Sequence, residues 1–164
     1  MARLTHVDEK GKARMVDVGR KRATRRRAVA RGWVRFNKTA FDRLRDNRLA
    51  KGDAIATARL AGVQAAKRTD EWIPLCHTIP LDHLAIDIEL HEDRRAASVT
   101  ATASALWRTG VEMEALVAVS AACLTLYDMA KAVDRGITID EVQLIEKQGG
   151  NSGPWKRSRS RQAR

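Results

Sequence analysis

Asp128 and Lys131 are the two residues whose type and spacing most directly suggest acid–base chemistry. They lie three positions apart in the apolar stretch 111–133, so on a helix both side chains share one face. One interpretation is a simple helix salt bridge. The other is a functional pair, because an ionised group in apolar surroundings is costly unless paired, and a desolvated lysine beside an acid acquires a pKa suited to proton transfer. The spacing alone leaves both interpretations open.

Glu112 and Glu114 begin the same apolar stretch. Acidic residues in the first turn of a helix are favoured by the helix dipole, which is a sufficient structural explanation for both. Glu114 precedes Asp128 by fourteen residues, which is roughly 21 Å along a helix. The two acids therefore cannot reach one small substrate within a single chain, and a site using both would have to be completed by a second subunit.

His77 and Cys76 lie in a loop segment bounded by Pro74 and Pro80. A single histidine is more often a structural hydrogen-bonding residue than a catalyst, and this cysteine is more typical of a small buried side chain than of a nucleophile. The sequence has no phosphate-binding G-x-x-x-x-G-K-[ST] motif, no G-x-S-x-G motif and no zinc-ligand spacing. Common nucleotide-triphosphatase, serine-hydrolase and zinc-site patterns are thus excluded.

Three lysines complete the set of candidates. Lys51 precedes a helix start, Lys67 ends that helix where a cation complements the dipole, and Lys147 borders the glycine-rich segment 148–153. Together with the Asp–Lys pair, these dispersed cations suggest a polyanionic small substrate and acid–base chemistry. The residues alone do not identify that substrate.

The elements that must position these residues follow from periodicity and punctuation. Thr39 is the expected cap of the first helix and Asp53 of the second, Gly62 allows close approach between helices, and Gly136 is expected to end the third. Alternating apolar residues predict strands, and residues 92–95 predict a hairpin turn. The expected strands are 28–37, 84–92, 97–107 and 137–146, and the expected helices are 39–50, 53–69 and 111–133.

This order predicts an α+β fold, a ferredoxin-like antiparallel sheet with one extra helix and with the helices packed on one face. The other sheet face would meet water or a partner. The nearly all-apolar stretch 111–133 favours a partner, and hence an oligomer.

Charge and composition set the remaining bounds. The chain has 164 residues, 44% of them hydrophobic, and a net charge of +11. Residues 1–35 carry a net +9 and residues 154–164 a net +5, whereas residues 36–153 carry a net −3. We therefore expect a single domain over 1–153 and a basic, disordered tail over 154–164. No apolar run suits a membrane helix and two cysteines make no disulfide framework, which predicts a cytoplasmic protein.

The sequence resembles the cyclic pyranopterin monophosphate synthase family of molybdenum cofactor biosynthesis. Six segments occur in the family's order and span nearly the whole chain. They are LTHVDEKGKARMVDV (4–18), KGDAIATARLAGVQAAKRT (51–69), IPLCH (73–77), TGVEMEAL (109–116), LYDMAKA (126–132) and GG-x-SG (149–153).

The resemblance implies a lyase that converts 3′,8-cyclo-7,8-dihydroguanosine 5′-triphosphate, the product of a radical-SAM enzyme, into cyclic pyranopterin monophosphate and diphosphate. It also implies a ferredoxin-like subunit in a homohexamer, a trimer of dimers, with sites between subunits. No cofactor is expected beyond Mg²⁺ carried by the substrate triphosphate, and no protein metal site is expected. Neither a membrane nor a nucleic acid is an expected partner.

The resemblance also implies the site residues. Asp128 matches the catalytic acid/base, and Lys131 and Lys51 match lysines placed with it. The implied substrate-binding residues are Leu75, Cys76, His77, Glu112, Met113, Glu114, Lys67, Arg26 and Lys147, with the register of Arg26 open because Arg25 and Arg27 flank it. The sequence departs from the family pattern at Thr78, Ile79, Arg108 and Asn151.

Two rival interpretations remain open at this stage. The basic ends could bind RNA or an acidic partner, although the middle of the chain is acidic and only 4% of residues are aromatic. An inactive scaffold of the same family is the other, and the intact Asp128 and Lys131 oppose it.

Overall fold

A five-stranded antiparallel sheet with its helices on one face forms the protein. The computed structural model describes residues 12–158. Along the chain the strands and helices run in the following order: β1 Thr24–Arg35, α1 Lys38–Arg45, α2 Ala54–Ala66, α3 Thr69–Trp72, β2 His83–His91, β3 Ala96–Trp107, α4 Glu112–Ala130, β4 Thr138–Gln148 and β5 Trp155–Lys156. The sheet order is β2-β3-β1-β4-β5, with every neighbouring pair antiparallel. The expectation of an α+β class is confirmed.

The core lies between the sheet and α4. In β1 Ala28, Ala30 and Val34 are fully buried against the helices, while Arg27, Arg31 and Arg35 lie on the opposite face of the strand. The inward side chains of β3 are also mostly alanine, so α4 can pack close to the sheet. By length and composition alone, α4 could cross a membrane. Since 61% of it is buried within the fold, it matches the core helix of a folded domain instead.

Gly62 determines how closely α2 and α4 approach each other. A Cβ added there would lie 2.4 Å from the Ile86 side chain and 2.9 Å from the Ala118 carbonyl oxygen. The predicted role of this glycine is confirmed. The close approach brings the start of α2 next to the end of α4, where the candidate catalytic residues lie.

The first helix is capped differently from the prediction. Asn37, not Thr39, is the N-cap, and its side chain accepts a hydrogen bond from the Ala40 N–H at 2.8 Å. Thr39 lies inside the first turn instead. Asp53 caps α2 as predicted and accepts from the Ala56 N–H.

The prediction that Gly136 ends the last long helix is wrong. α4 ends at Ala130, and residues 131–133 form a turn. Buried Asp134 then accepts hydrogen bonds from the Asn37 N–H at 2.6 Å and the Gly136 N–H at 2.8 Å. These bonds draw the chain away from the helix axis before the glycine is reached.

Two stretches expected outside the sheet belong to it. β1 begins at Thr24 rather than residue 28, because Thr24–Arg27 pair with the end of β3 and, at Arg27, with β4. Trp155 and Lys156 pair with Lys147 and Glu146 as β5, so the expected disorder of the tail is wrong for these two residues. Residues 159–164 lie outside the described part of the chain, as do residues 4–11 of the first matching segment.

Candidate active site

Asp128 holds a lysine on each of its carboxylate oxygens. The Lys51 ammonium donates to Oδ2 at 2.5 Å, and Lys131 pairs with Oδ1 at 2.6 Å. Lys51 reaches the site from the loop before α2, and Lys131 is the C-cap residue of α4. We call these three residues the Asp128 cluster. The sequence predicted the contact between Asp128 and Lys131, and their distance confirms it.

The charges of the Asp128 cluster stabilise one another. Hydrogen bonds from Lys131 and then Lys51 lower the pKa of Asp128 to about 2, so the carboxyl is ionised at neutral pH. The same contact with Asp128 raises the pKa of Lys131. At neutral pH the cluster is therefore one carboxylate between two ammonium groups, with a net positive charge and protons available to give.

The expected desolvation of this pair is absent in the single chain. The side chains of Asp128 and Lys131 are 50% and 52% exposed. The apolar helix that was expected to surround them ends at Ala130, so both lie at its rim. A lysine base would need a lowered pKa, and that requires a substrate or a second subunit to cover the cluster.

A second group of predicted residues lines a cavity of about 390 Å³ at the other end of α4. The loop before β2 and the first turn of α4 supply the predicted members: Leu75, Cys76, His77, Glu112, Met113 and Glu114. We call this space the Glu114 cavity. These predicted substrate-binding residues do come together, and they do so away from the Asp128 cluster.

Glu114 is the buried acid of the cavity, with 3% of its surface exposed. Burial is the main cause that raises its pKa from 4.5 to about 7; a hydrogen bond from its own backbone opposes this rise, and the charges of Glu112 and Asp70 add to it. The helix dipole accounts for an acid at this position but not for its burial. A carboxyl that exchanges its proton near neutral pH is suited to acid–base chemistry.

The two cysteines are both free thiols. Burial, and then the charges of Glu114 and Asp70, raise the pKa of Cys76, so its thiol stays protonated. Burial raises the pKa of Cys123 to about 12 within the core. The structure thus agrees with Cys76 as a packing residue of the cavity wall rather than a nucleophile.

Arg26 and Lys147 lie beside the Glu114 cavity and contact residues at its rim. Arg26 donates to the carbonyl oxygens of Trp107 and Arg108, just before cavity residues 109 and 110. Its strand position points to the helix side of the sheet, whereas Arg27 on the opposite side pairs with Glu146. Of the three consecutive arginines, the geometry therefore singles out Arg26.

Lys147 is tied to the same rim. Its ammonium lies 2.6 Å from the Ser152 hydroxyl and 3.7 Å from the Glu112 carboxylate. The glycine loop leaves room for Arg26: a Cβ on Gly150, whose φ is +82°, would lie 1.9 Å from Arg26 Nη1. The loop between β4 and β5 thus holds two cations next to the cavity.

Lys67 is a predicted site residue that neither lines the Glu114 cavity nor contacts the Asp128 cluster. It is the C-cap of α2, exposed, and its side chain makes no ion pair with another described residue. Because Lys51 at the start of α2 meets the end of α4, the two helices run antiparallel. Lys67 therefore lies toward the Glu114 end of the molecule, not with Lys51.

An open groove of about 460 Å³ runs along α2 and α4 and reaches Asp128 at one end. It is lined by Ala61, Gln64, Ala65, Arg68, Trp72, Ala121, Leu124, Thr125 and Asp128. We call it the α2–α4 groove. Leu124 and Trp72 expose 54% and 50% of their surface in it, and neighbouring Leu60 exposes 59%. Such an apolar strip is typical of a surface that another protein covers.

Sequence reasoning missed the residues that precede β1. Val16, Val18 and Lys21 line the Glu114 cavity together with Ile79 and Thr109. Val16 and Val18 fall inside a segment that resembles the family, but no motif there specified a role. Lys21 belongs to an arginine-rich stretch that the sequence alone does not distinguish from a solvated tail. Only the three-dimensional structure shows that this residue lies at the cavity.

Comparisons with known proteins agree with one another. The model of the MoaC family matches residues 15–150. A protein of Thermomicrobium roseum named cyclic pyranopterin monophosphate synthase is 55% identical over 96% of this chain and 95% of its own length. Proteins with the same name from Novosphingobium aromaticivorans and Roseiflexus castenholzii are each 52% identical over 93% of this chain, covering 96% and 97% of their own lengths.

Proposed function

Because this chain belongs to the MoaC family, we propose that it converts 3′,8-cyclo-7,8-dihydroguanosine 5′-triphosphate to cyclic pyranopterin monophosphate and diphosphate. Its activity is that of a cyclic pyranopterin monophosphate synthase, a lyase of molybdenum cofactor biosynthesis. The reaction rebuilds a guanine-derived ring and closes a cyclic phosphate. Such steps move protons between nitrogen, oxygen and carbon, which positioned side chains can do.

The observation that carries the site assignment is the Asp128 carboxylate between two ammonium groups. Lys131 and Lys51 are the proton donors, and after giving a proton each becomes a base. Asp128 fixes their positions and balances their charge. Because the pKa of Asp128 is about 2, its own role at neutral pH is that of an ionised partner or a base.

The Glu114 cavity supplies the rest of the site. Glu114, with a pKa of about 7, exchanges a proton with the substrate ring, while Leu75, Cys76 and Met113 form the wall against which the ring packs. Arg26, Lys147 and Lys67 hold the triphosphate. Arg26 suits this role because its guanidinium is fixed by two carbonyl oxygens and can still donate to an anion.

The two regions become one site when a second copy covers the α2–α4 groove. A two-fold axis near Ala121, midway between Glu114 and Asp128 on α4, would bring the Glu114 cavity of one subunit to the Asp128 cluster of the other. The exposed apolar residues of the groove support this arrangement, and burial there would supply the desolvation that Lys131 lacks in one chain.

We extend the proposal to the assembly and its setting. The sheet order β2-β3-β1-β4 supports a ferredoxin-like subunit, and we propose a homohexamer built from three such dimers. The protein holds no resident cofactor or metal, any Mg²⁺ arriving on the triphosphate. It works in the cytoplasm, after a radical-SAM enzyme that makes its substrate, and binds neither a membrane nor nucleic acid.

A turnover assay tests the proposed function. The purified protein is mixed with the cyclic dihydroguanosine triphosphate, and the pyranopterin is detected after oxidation to its fluorescent form. Wild-type protein should give product, and Lys131→Ala should give none while keeping the same oligomeric state. Lys38→Ala is the matched control, since Lys38 also pairs with a carboxylate, that of Asp42, but lines neither the Glu114 cavity nor the α2–α4 groove. A folded wild-type oligomer without product would contradict the proposal.

A further inference from the structure

A short segment in front of β1 forms one wall of the Glu114 cavity. Val16, Val18 and Lys21 line the cavity together with His77 and the α4 residues Glu112 and Glu114. We call residues 12–21 the N-terminal segment. The site residues of the proposed function include His77 but none from this segment, so its effect on His77 is additional to that function.

The N-terminal segment contacts His77 by one defined hydrogen bond. The distance between His77 Nε2 and the Val16 carbonyl oxygen is 2.9 Å. A carbonyl oxygen can only accept a hydrogen bond, so Nε2 must carry the proton. When the ring is neutral, Nδ1 therefore has a free lone pair, and it is the only ring nitrogen left to meet a ligand.

A hydrogen-bonded turn directly follows Val16. The Asp17 side chain accepts from the Gly19 N–H at 2.8 Å, and the Lys21 N–H donates to the Val18 carbonyl oxygen at 3.0 Å. This pair of bonds makes a compact turn three residues before β1. The turn lies between Val16, whose carbonyl contacts His77, and β1, the strand that carries Arg26.

We propose that the Val16 carbonyl is a positioning group for His77, holding the ring in the Nε2–H form with Nδ1 directed at the substrate. This inference rests on the proposed function for the identity of the substrate. Neutral Nδ1 accepts a hydrogen bond from an N–H or O–H of the substrate ring or sugar. The role of His77 among the substrate-binding residues is then recognition of such a donor.

The first experiment reads the tautomer directly. Nitrogen-15 NMR of histidine-labelled protein, recorded without substrate at alkaline pH, identifies which ring nitrogen of His77 carries the proton, with His77→Gln used for assignment. The expected result is a single Nε2–H form. Removing residues 2–18 should allow the His77 ring to adopt a mixture of both tautomers. Removing residues 2–14, which keeps Val16, should leave the single Nε2–H form.

Two outcomes would overturn the proposal: a wild-type His77 in the Nδ1–H form, or an unchanged tautomer after removal of residues 2–18. Val16→Ala separates the carbonyl from the side chain, because it keeps the carbonyl and should leave the tautomer unchanged. None of these measurements requires turnover, so they stand even if the protein fails to make the pyranopterin.

The second experiment asks which ring nitrogen meets the substrate. An asparagine amide occupies roughly the position of Nδ1, and a glutamine amide that of Nε2. His77→Asn should therefore keep a kcat/KM about tenfold above that of His77→Gln, the equivalent of one hydrogen bond. In protein lacking residues 2–18 that advantage should shrink. A glutamine variant better than the asparagine variant would show that Nε2, not Nδ1, faces the substrate.

Discussion

The two ends of α4 place a carboxyl group in opposite environments. Asp128 is half exposed and sits between two ammonium groups that lower its pKa to about 2. Glu114 is buried and forms no ion pair with a cation within residues 12–158, and burial is the main cause of its raised pKa of about 7. One helix therefore carries an acid that stays ionised and an acid that exchanges its proton at neutral pH.

The difference shows that two acids of one proton-transfer site can have their pKa values set by different physical causes. Charge pairing lowers the pKa of Asp128 and raises the pKa of Lys131, whereas removal of water raises the pKa of Glu114. Pairing is weakened by salt and does not require a core, while burial is insensitive to salt and depends on packing. Changes that act on only one of these causes should therefore affect only one end of α4.

The largest effect should come from removing the anion at the exposed end. Asp128→Asn leaves Lys51 and Lys131 without the carboxylate that orients them, and we expect kcat to fall at least about a hundredfold, as for loss of a general acid–base group. The pKa of Lys131 should fall as well, because its raised value depends on Asp128. Steady-state kinetics measures the first effect, and NMR titration of Lys131 the second.

Asp42→Asn is the matched control for this change, since Asp42 also accepts from a lysine, Lys38, at 2.6 Å on the surface. Its turnover should equal that of the wild type. Full activity in Asp128→Asn would show that the cluster is a surface salt bridge.

The next effect concerns stability at the buried end. Protonated Glu114 is the form the fold prefers, because its folded pKa lies above the unfolded value near 4.5. Its contribution is therefore present at low pH and is lost as the pH rises through about 7, a difference of about 3 kcal/mol in the free energy of unfolding. Glu114→Gln should remove this loss, so the variant should be more stable than the wild type at alkaline pH.

Denaturant unfolding measured from acid to alkaline pH tests this expectation. Glu112→Gln, two residues earlier and only partly buried, should keep most of the wild-type dependence on pH, because burial is the largest cause of the raised pKa of Glu114. If Glu114→Gln also keeps it, the carboxyl of Glu114 is not desolvated and the contrast between the two acids disappears.

A smaller effect should follow from crowding the guanidinium at the cavity rim. Gly150→Ala places a Cβ against Arg26 Nη1, and the displaced guanidinium should raise KM about tenfold with little change in kcat. Gly153→Ala is the control, because Gly153 also has a positive φ, +67°, but nothing lies within 4 Å of its added Cβ. Equal changes in both variants would trace the effect to the loop backbone rather than to Arg26.

The smallest effect should be a difference in the response to salt. Raising the ionic strength should move the pKa of Asp128 upward toward its ordinary value, because exposed pairs are screened. The pKa of Glu114 should stay at about 7, since desolvation is the largest cause of its rise. Carbon-13 NMR of the two carboxyls in low and high salt compares them directly, and parallel shifts would mean that one cause acts at both ends.

Much of the fold was predictable because its determinants are local. Asp53 and the alternation in β2 and β3 gave the correct elements, with ends within a few residues. Asn37 was missed because Asn and Thr are both good caps, and only the backbone geometry decides between them. The end of α4 was missed because the bonds of Asp134 to Asn37 join residues far apart in sequence.

The candidate site was predictable in part for the same reason. The contact of Asp128 with Lys131 is local, three residues along one helix, whereas the contact with Lys51 spans 77 positions and came only from the family resemblance. The burial of Glu114 and the position of Val16 in the cavity wall depend on how α4 packs against the loop that carries His77. No periodicity in the sequence encodes that packing.

Subunit mixing tests the central claim that both ends of α4 serve one site between two chains. Asp128→Asn and Glu114→Gln proteins, each with strongly reduced turnover, are unfolded together and refolded, or are co-expressed. Mixed dimers hold one intact site, so we predict about a quarter of wild-type turnover for random assortment. Turnover in the mixture no higher than the average of the two separate variants would contradict the account.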